Sequence, residues 1–129
     1  MNFTYNKYRN TEFTAVDGTV FDSKKEANRW EKLLLIEQSG EIKDLQRQVE
    51  FELIPSQTET YERYAKDGRR LKDGVRVLER ACVYVADFTY VNVKTGELVV
   101  EDTKGVPTKD YIIKRKLMLW RHGIRVHEI

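Results

Sequence analysis

Two aspartates and a lysine carry the chemistry most readily read from this chain. They are Asp87, and Asp102 with Lys104 in the run Val99-Val100-Glu101-Asp102-Thr103-Lys104-Gly105. Carboxylates on neighbouring strands can hold a divalent cation. A lysine beside them can position a water or steady a developing negative charge. Side chains at i and i+2 of a strand share a face, so Asp102 and Lys104 are expected to point the same way. Glu101 should point to the other side, solvated or ion-paired.

These residues need a hairpin to position them. Arg76 to Tyr90 reads as one long strand rich in valine, tyrosine and phenylalanine. Lys94-Thr95-Gly96 supplies a turn, and Leu98 to Lys104 returns. With Lys94 and Thr95 as a two-residue loop, partner numbers sum to 189, which sets Asp87 opposite Asp102. A three-residue loop with Gly96 left-handed shifts the pairing by one, and both readings stay open. Like charges directly opposite each other destabilise a sheet. A bound cation would offset that cost.

The flanking segments supply the rest of a frame. Residues 1–12 read as a loose, polar N-terminal arm, and Asp17-Gly18 as a turn between short extended pieces within Phe13 to Phe21. Ser23 with Glu26 matches the capping-box pattern that opens a helix, and Ser39-Gly40 closes it. Ala27, Trp30, Leu33 and Leu34 give that helix its apolar side. Ile42 to Leu45 reads as a short turn and Gln48 to Ile54 as a strand ended by Pro55. Residues 55–74 read as an extended hairpin, a mobile loop or a DNA-contacting flap. Thr108 is a fair N-cap for a second helix over about 109–121. That helix has an apolar row of Ile113, Leu117 and Trp120, and His122-Gly123 stops it. Both tryptophans are expected in the core. Ile124 to Ile129 is a last short strand.

The 129 residues suit one compact domain spanning the whole chain. A 40% hydrophobic content can fill a core, and 34% charged residues fit a soluble chain. No stretch approaches the ~20 apolar residues of a membrane span. The single cysteine, Cys82, excludes an internal disulfide. A reducing, cytoplasmic setting fits best. From Lys104 onward seven bases face two acids. A basic end beside an acid pair suits a phosphate-backbone partner held near a metal.

The order helix, three strands, helix, strand, with the acids so placed, resembles the PD-(D/E)XK nuclease superfamily. Its acid and (D/E)-x-K positions match Asp87 and Asp102-Thr103-Lys104, and its first-helix glutamate matches Glu26. More narrowly, three blocks are similar to a family of small phage and prophage proteins. They are Phe21-Asp22-Ser23-Lys24-Lys25-Glu26-Ala27, Tyr84-Val85-Ala86-Asp87-Phe88 and Glu101-Asp102-Thr103-Lys104-Gly105. That family is known mainly as a domain of unknown function and is grouped with Holliday-junction-resolvase-like endonucleases. The proline of the superfamily name is replaced by Ala86, a position that varies widely there. The resemblance implies an α/β fold with a restriction-endonuclease-like core, a mixed central sheet flanked by helices in the order αβββαβ.

It also implies a Mg²⁺- or Mn²⁺-dependent phosphodiester hydrolase. Asp87, Asp102, the Thr103 carbonyl and Glu26 would hold the metal, and Lys104 would position water or stabilise charge. DNA is the implied partner, branched forms among the candidates, and a homodimer would suit the cutting of two strands. Lys109, Lys114 and Lys116 on the second helix, with Arg69 and Arg70 in the 55–74 segment, are the candidate DNA contacts.

Each assignment has a plainer counterpart. Glu26 can simply cap its helix. Asp87 can be a solvated strand-end acid, and Asp102 with Lys104 an ordinary surface ion pair. The lysines can form a solvated helical face, and Arg69 and Arg70 a charged loop. His122 and His127 lack a serine or cysteine partner that would suggest a nucleophilic triad. The competing function is a non-catalytic DNA-binding or assembly module of phage replication or packaging on the same fold.

Overall fold

The computed structural model describes the backbone of residues 2–5 and 11–129 and the side chains from residue 12 onward. Its elements run β1 (Asn2–Tyr5), β2 (Thr11–Thr14), β3 (Val20–Phe21), α1 (Lys24–Gln38), β4 (Ile42–Ile54), β5 (Gln57–Tyr64) and β6 (Arg70–Glu79). They continue with β7 (Cys82–Asn92), β8 (Leu98–Asp102), α2 (Lys109–His122) and β9 (His127–Glu128). The protein is thus a mixed α/β chain with two helices. The central sheet has the order β4-β7-β8-β9, antiparallel except for the parallel β8–β9 pair. Of the expected loose arm over 1–12, Asn2–Tyr5 is a strand paired with β2, while residues 1 and 6–10 lie outside the described residues.

Both helices start and stop where local chemistry dictates. The Ser23 hydroxyl accepts from the Glu26 N–H, and the Thr108 hydroxyl accepts from the Tyr111 N–H, each satisfying an orphan donor of a first turn. Gly123 ends α2 in the left-handed region at φ 66°, a conformation that costs glycine little.

β4 and β7 form a long twisted ribbon whose inward side alternates along β4 through Leu45, Arg47, Val49, Phe51 and Leu53. α1 covers one end of it. There Phe21, Trp30 and Phe88 cluster with ring centroids 5.8–6.2 Å apart, joined by Ala27, Leu33 and Ile42. α2 covers the other end through Tyr111 and Met118, against Leu53, Tyr84, Ala86, Val100 and Val126. The indole N–H of Trp30 donates to Asp17 at 2.8 Å, which fastens the β2–β3 turn to α1.

Four expectations change. The single strand over 76–90 is two strands with different partners, broken at Arg80-Ala81, because β6 pairs with β5 and β7 with β4. Ile42 to Leu45 is no separate turn; it begins β4, with a register irregularity before Gln46 and Asp44 at φ 55°. The last strand contracts to His127–Glu128. Trp120 is 81% exposed and Ile113 is 58% exposed, not core. On α2 the buried pair is Tyr111 and Met118. Trp120, two residues beyond Met118, is about 200° further round the helix at 3.6 residues per turn. Of the three forms open to residues 55–74, the segment takes the extended hairpin.

Candidate functional site

The β7–β8 register pairs Phe88 with Glu101, Thr89 with Val100 and Tyr90 with Val99. Its numbers sum as the two-residue loop would require. The connection itself is longer: Asn92 N–H donates to Glu97 carbonyl and Gly96 N–H to Asn92 carbonyl, with Gly96 at φ 74°. Regular pairing stops one step short of Asp87 and Asp102. There the Asp87 carboxylate takes over, accepting from both the backbone N–H and the hydroxyl of Thr103 at 2.8 Å. The aspartate of β7 therefore pins the middle residue of the Asp-Thr-Lys run, and Asp102 and Lys104 flank that pin.

Asp102 is 2% exposed. One of its oxygens accepts from the Lys104 N–H at 3.0 Å and the other from the Tyr84 hydroxyl at 2.7 Å. Burial raises its carboxyl above the usual range, and the like charge of Asp87 raises it further. The Tyr84 hydroxyl, the Lys104 ammonium and the Lys104 N–H act in opposition. Burial also pushes the Tyr84 hydroxyl well up, and its bond to Asp102 adds to this. Lys104 is exposed, with Nζ 5.4 Å from the centroid of the Tyr111 ring.

Glu26 reaches this group from the first turn of α1. Its carboxyl is raised chiefly by burial and next by Asp87. The Thr103 hydroxyl and the Arg47 guanidinium pull it down. The hydroxyl has one proton, and it is directed at Asp87, so Glu26 is the less satisfied acid. The structure thus brings together Glu26, Asp87, Asp102, Thr103 and Lys104.

Among the described residues, no group of three or more histidine, cysteine, aspartate or glutamate side chains converges as a metal-ligand set. Two carboxylates with a backbone carbonyl still fit Mg²⁺ or Mn²⁺, hard ions bound through oxygen. Mg²⁺ in particular keeps several waters and commonly takes only one or two protein carboxylates. Asp87 has one carboxylate oxygen free of the Thr103 contacts.

The basic candidates divide by place. Lys114 lines, with Lys104, Tyr84 and Tyr111, a shallow cavity of about 260 Å³ beside the site. Lys116 instead lines a larger groove of about 650 Å³ between α2 and β9, with Arg115 and Arg125, and no site acid faces it. Lys109 is exposed at the start of α2. Arg69 and Arg70 sit at the tip of the β5–β6 hairpin, apart from the acids.

Two features escaped the sequence reading, and a third reading is narrowed. Tyr84 holds Asp102, and the only hint was its place three residues before Asp87 in an apolar strand. Arg47, with its guanidinium 4.5 Å from the Phe21 ring centroid and its Nε buried without a partner, stands close enough to act on Glu26. Of the two readings open to Glu101, solvated or ion-paired, the ion pair holds. It is 1% exposed and takes a two-pronged ion pair from Arg29 at 2.8 and 2.6 Å, with a further bond from the Tyr90 hydroxyl.

Residues 5–127 match the family described as "Protein of unknown function (DUF1064)". The chain belongs to that family. No curated protein and no solved structure matches it. Among the described residues, no helix is long and apolar enough to cross a membrane.

Proposed function

We propose that this protein is a metal-dependent endodeoxyribonuclease that hydrolyses DNA phosphodiester bonds, with branched DNA among its substrates. The observation that carries the reading is the Thr103 pin. By accepting both Thr103 donors, Asp87 holds the residue between Asp102 and Lys104, and its charge acts on both Asp102 and Glu26. Glu26 and Asp102, distant in sequence, thus share the charge of Asp87, opposed in part by Arg47 at Glu26 and by Lys104 at Asp102. With β1–β3 and the β5–β6 hairpin set aside, the remaining elements α1, β4, β7, β8, α2 and β9 are compatible with the restriction-endonuclease-like order that the reading expects. The setting proposed is the cytoplasm, of the host if the chain is phage-encoded.

Asp87, Asp102 and the Thr103 carbonyl would hold Mg²⁺ or Mn²⁺, with Glu26 joining directly or through a water. The bound ion would polarise the scissile phosphate and lower the pKa of an attacking water. The chain's own residues do the rest. Tyr84 and the Lys104 N–H fix both oxygens of Asp102. Thr103 fixes Asp87. The Lys104 ammonium, exposed at the edge of the cavity, is placed to orient water or steady charge on the phosphate. Lys114 on the same cavity wall offers a contact for a neighbouring phosphate.

One observation favours a binding module instead. Asp102 is almost fully enclosed, and no third carboxylate converges on it. A purified chain tested on linear, flapped and four-way DNA separates the two. The nuclease reading expects cutting with Mg²⁺ or Mn²⁺, none with chelator, and a loss of at least a hundredfold in Asp102→Ala with folding retained. Cutting at the wild-type rate by that variant would sink it. Salt-sensitive DNA binding without cleavage of any form would favour the module.

A further inference from the structure

β5 and β6 pair only with each other, as an arm beyond the breaks at Pro55-Ser56 and Arg80-Ala81. At about 3.3 Å per residue the eight residues of β5 span about 26 Å. The arm is braced from within. The Arg76 guanidinium stacks 4.3 Å from the Tyr61 ring centroid and lies 3.4 Å from Glu59. The Tyr61 ring lies so close over Gly74 that a Cβ there would come within 2.3 Å of it. Arg70 is held between Asp73 at 2.8 Å and Glu62 at 3.9 Å, and the Tyr64 hydroxyl donates to Glu62.

This bracing leaves the tip with charge to spare. Residues 63–72 hold five bases and one acid. The acid, Asp67, accepts the Arg69 N–H across the turn, where Gly68 reverses the chain at φ 86°. Of the five bases only Arg70 has a carboxylate partner, and it takes both of the nearest acids outside the tip, Glu62 and Asp73. Arg63, Lys66, Arg69 and Lys72 are exposed, and their side chains have no ion-pair or hydrogen-bond partner among the described residues.

Those four cations do not share a face. Arg63 is the register partner of Leu71, so Lys72, the next residue, leaves the ribbon on the other side. Lys66 and Arg69 stand in the turn. The charge surrounds the end of the arm instead of lining one side of it.

We propose that the arm is a nucleic-acid contact apart from the acids, whose tip enters the major groove of duplex DNA end-on. Two phosphate backbones wall that groove. Its width of about 12 Å admits a two-stranded ribbon, whereas the minor groove, about 6 Å wide, does not. Cations on both faces and in the turn reach both walls. A membrane or a flat acidic protein surface would meet one face and leave the cations of the other in solvent. Phosphate contacts hold a duplex without choosing its sequence. Of the two arginines expected to touch DNA here, Arg69 stays, and Arg70 gives way to Arg63, Lys66 and Lys72. The DNA partner rests on the nuclease reading, while the contact needs none of its chemistry.

Titrating the full chain in chelator against a blunt, mixed-sequence duplex, followed by fluorescence anisotropy, reads binding without cleavage. The variant Arg63→Gln/Lys66→Gln/Arg69→Gln/Lys72→Gln should bind at least a hundredfold more weakly at low salt, with the near-UV circular dichroism of the core unchanged. Each phosphate contact steepens the fall of log affinity with log salt by about 0.9, so the slope should become shallower by about 3 to 4. Arg63→Lys/Arg69→Lys should keep the wild-type slope, because a phosphate asks only for charge. On a single strand of the same sequence, which has no groove, the fourfold variant should lose less than threefold. An unchanged slope or affinity in that variant would overturn the proposal, as would an equal loss on the single strand. A wild type that ignores the duplex but binds phosphatidylglycerol vesicles through these four residues would also overturn it and assign the tip to a membrane surface. Arm-dependent binding by a chain that cuts nothing would keep the arm and remove the nuclease. Cutting without arm-dependent binding would remove the arm alone.

Discussion

Glu101 and Asp102 are neighbours on β8, equally enclosed at 1% and 2% exposure, and their charges are handled in opposite ways. Glu101 receives a two-pronged Arg29 from α1 and the Tyr90 hydroxyl, so its charge is cancelled where it stands. Asp102 receives a tyrosine hydroxyl and a backbone N–H, with only the more distant Lys104 opposing its charge. It also faces a second aspartate, and its carboxyl is raised in consequence. A buried ion left uncompensated is costly, and a fold has no packing reason to keep one. Glu101 ties α1 to the sheet. Asp102 stays short of positive charge beside another acid, the condition that binding a cation would relieve.

The largest effect should come from the compensated acid. Glu101→Gln leaves Arg29 facing a neutral amide, and breaking a partly buried pair from one side costs about 3 kcal/mol. Denaturant unfolding should show that loss in the midpoint with little change in slope. A loss under about 1 kcal/mol would put this pair with ordinary surface bridges and remove the contrast.

Next comes the uncompensated acid. Because the folded-state carboxyl of Asp102 is raised, its contribution to stability is fully present below the unfolded value near 3.9. It is lost as pH rises through the raised value. Asp102→Asn should therefore flatten the decline in stability across mildly acidic pH and leave the chain as stable as wild type, or more so, at neutral pH. Mg²⁺ or Mn²⁺ should reverse the order. A cation at a hundred times its dissociation constant adds about 2.7 kcal/mol to the wild type and should add nothing to the variant. Equal thermal shifts in both chains would detach Asp102 from any cation site.

The same contrast explains what could be read in advance. For β7–β8 the count leaves two registers open, of which the structure takes the one summing to 189. The caps at Ser23 and Thr108 and the turn at Asp17-Gly18 rest on local chemistry and are visible in sequence. So is the gathering of Asp87, Asp102 and Lys104, which a hairpin enforces. Glu26 depends on where α1 docks, and only the family resemblance pointed to it. The Arg29–Glu101 pair joins residues 72 apart through that docking, and nothing local announces it. Trp120 was misplaced because α2 carries apolar residues on both of its sides, so period alone does not say which side meets the sheet. The break at Arg80-Ala81 hides inside a run of strand-forming residues, because β6 and β7 differ only in their partners.

Tyr84→Phe offers the smallest and most local probe. The hydroxyl donates to Asp102 in a buried setting and lowers its carboxyl, while the ring packs near Tyr111 at 6.4 Å between centroids. Phenylalanine keeps the ring and removes the donor, a net cost of about 1 kcal/mol at neutral pH. With the donor gone, Asp102 should titrate higher still, so the loss should shrink as pH falls and Asp102 takes up its proton. Carboxyl titration followed by NMR in both chains would read this directly. A downward or absent shift would mean that Tyr84 merely fills space beside Asp102. An upward shift together with weaker Mg²⁺ stabilisation would show the hydroxyl keeping Asp102 ionised and aimed at its cation.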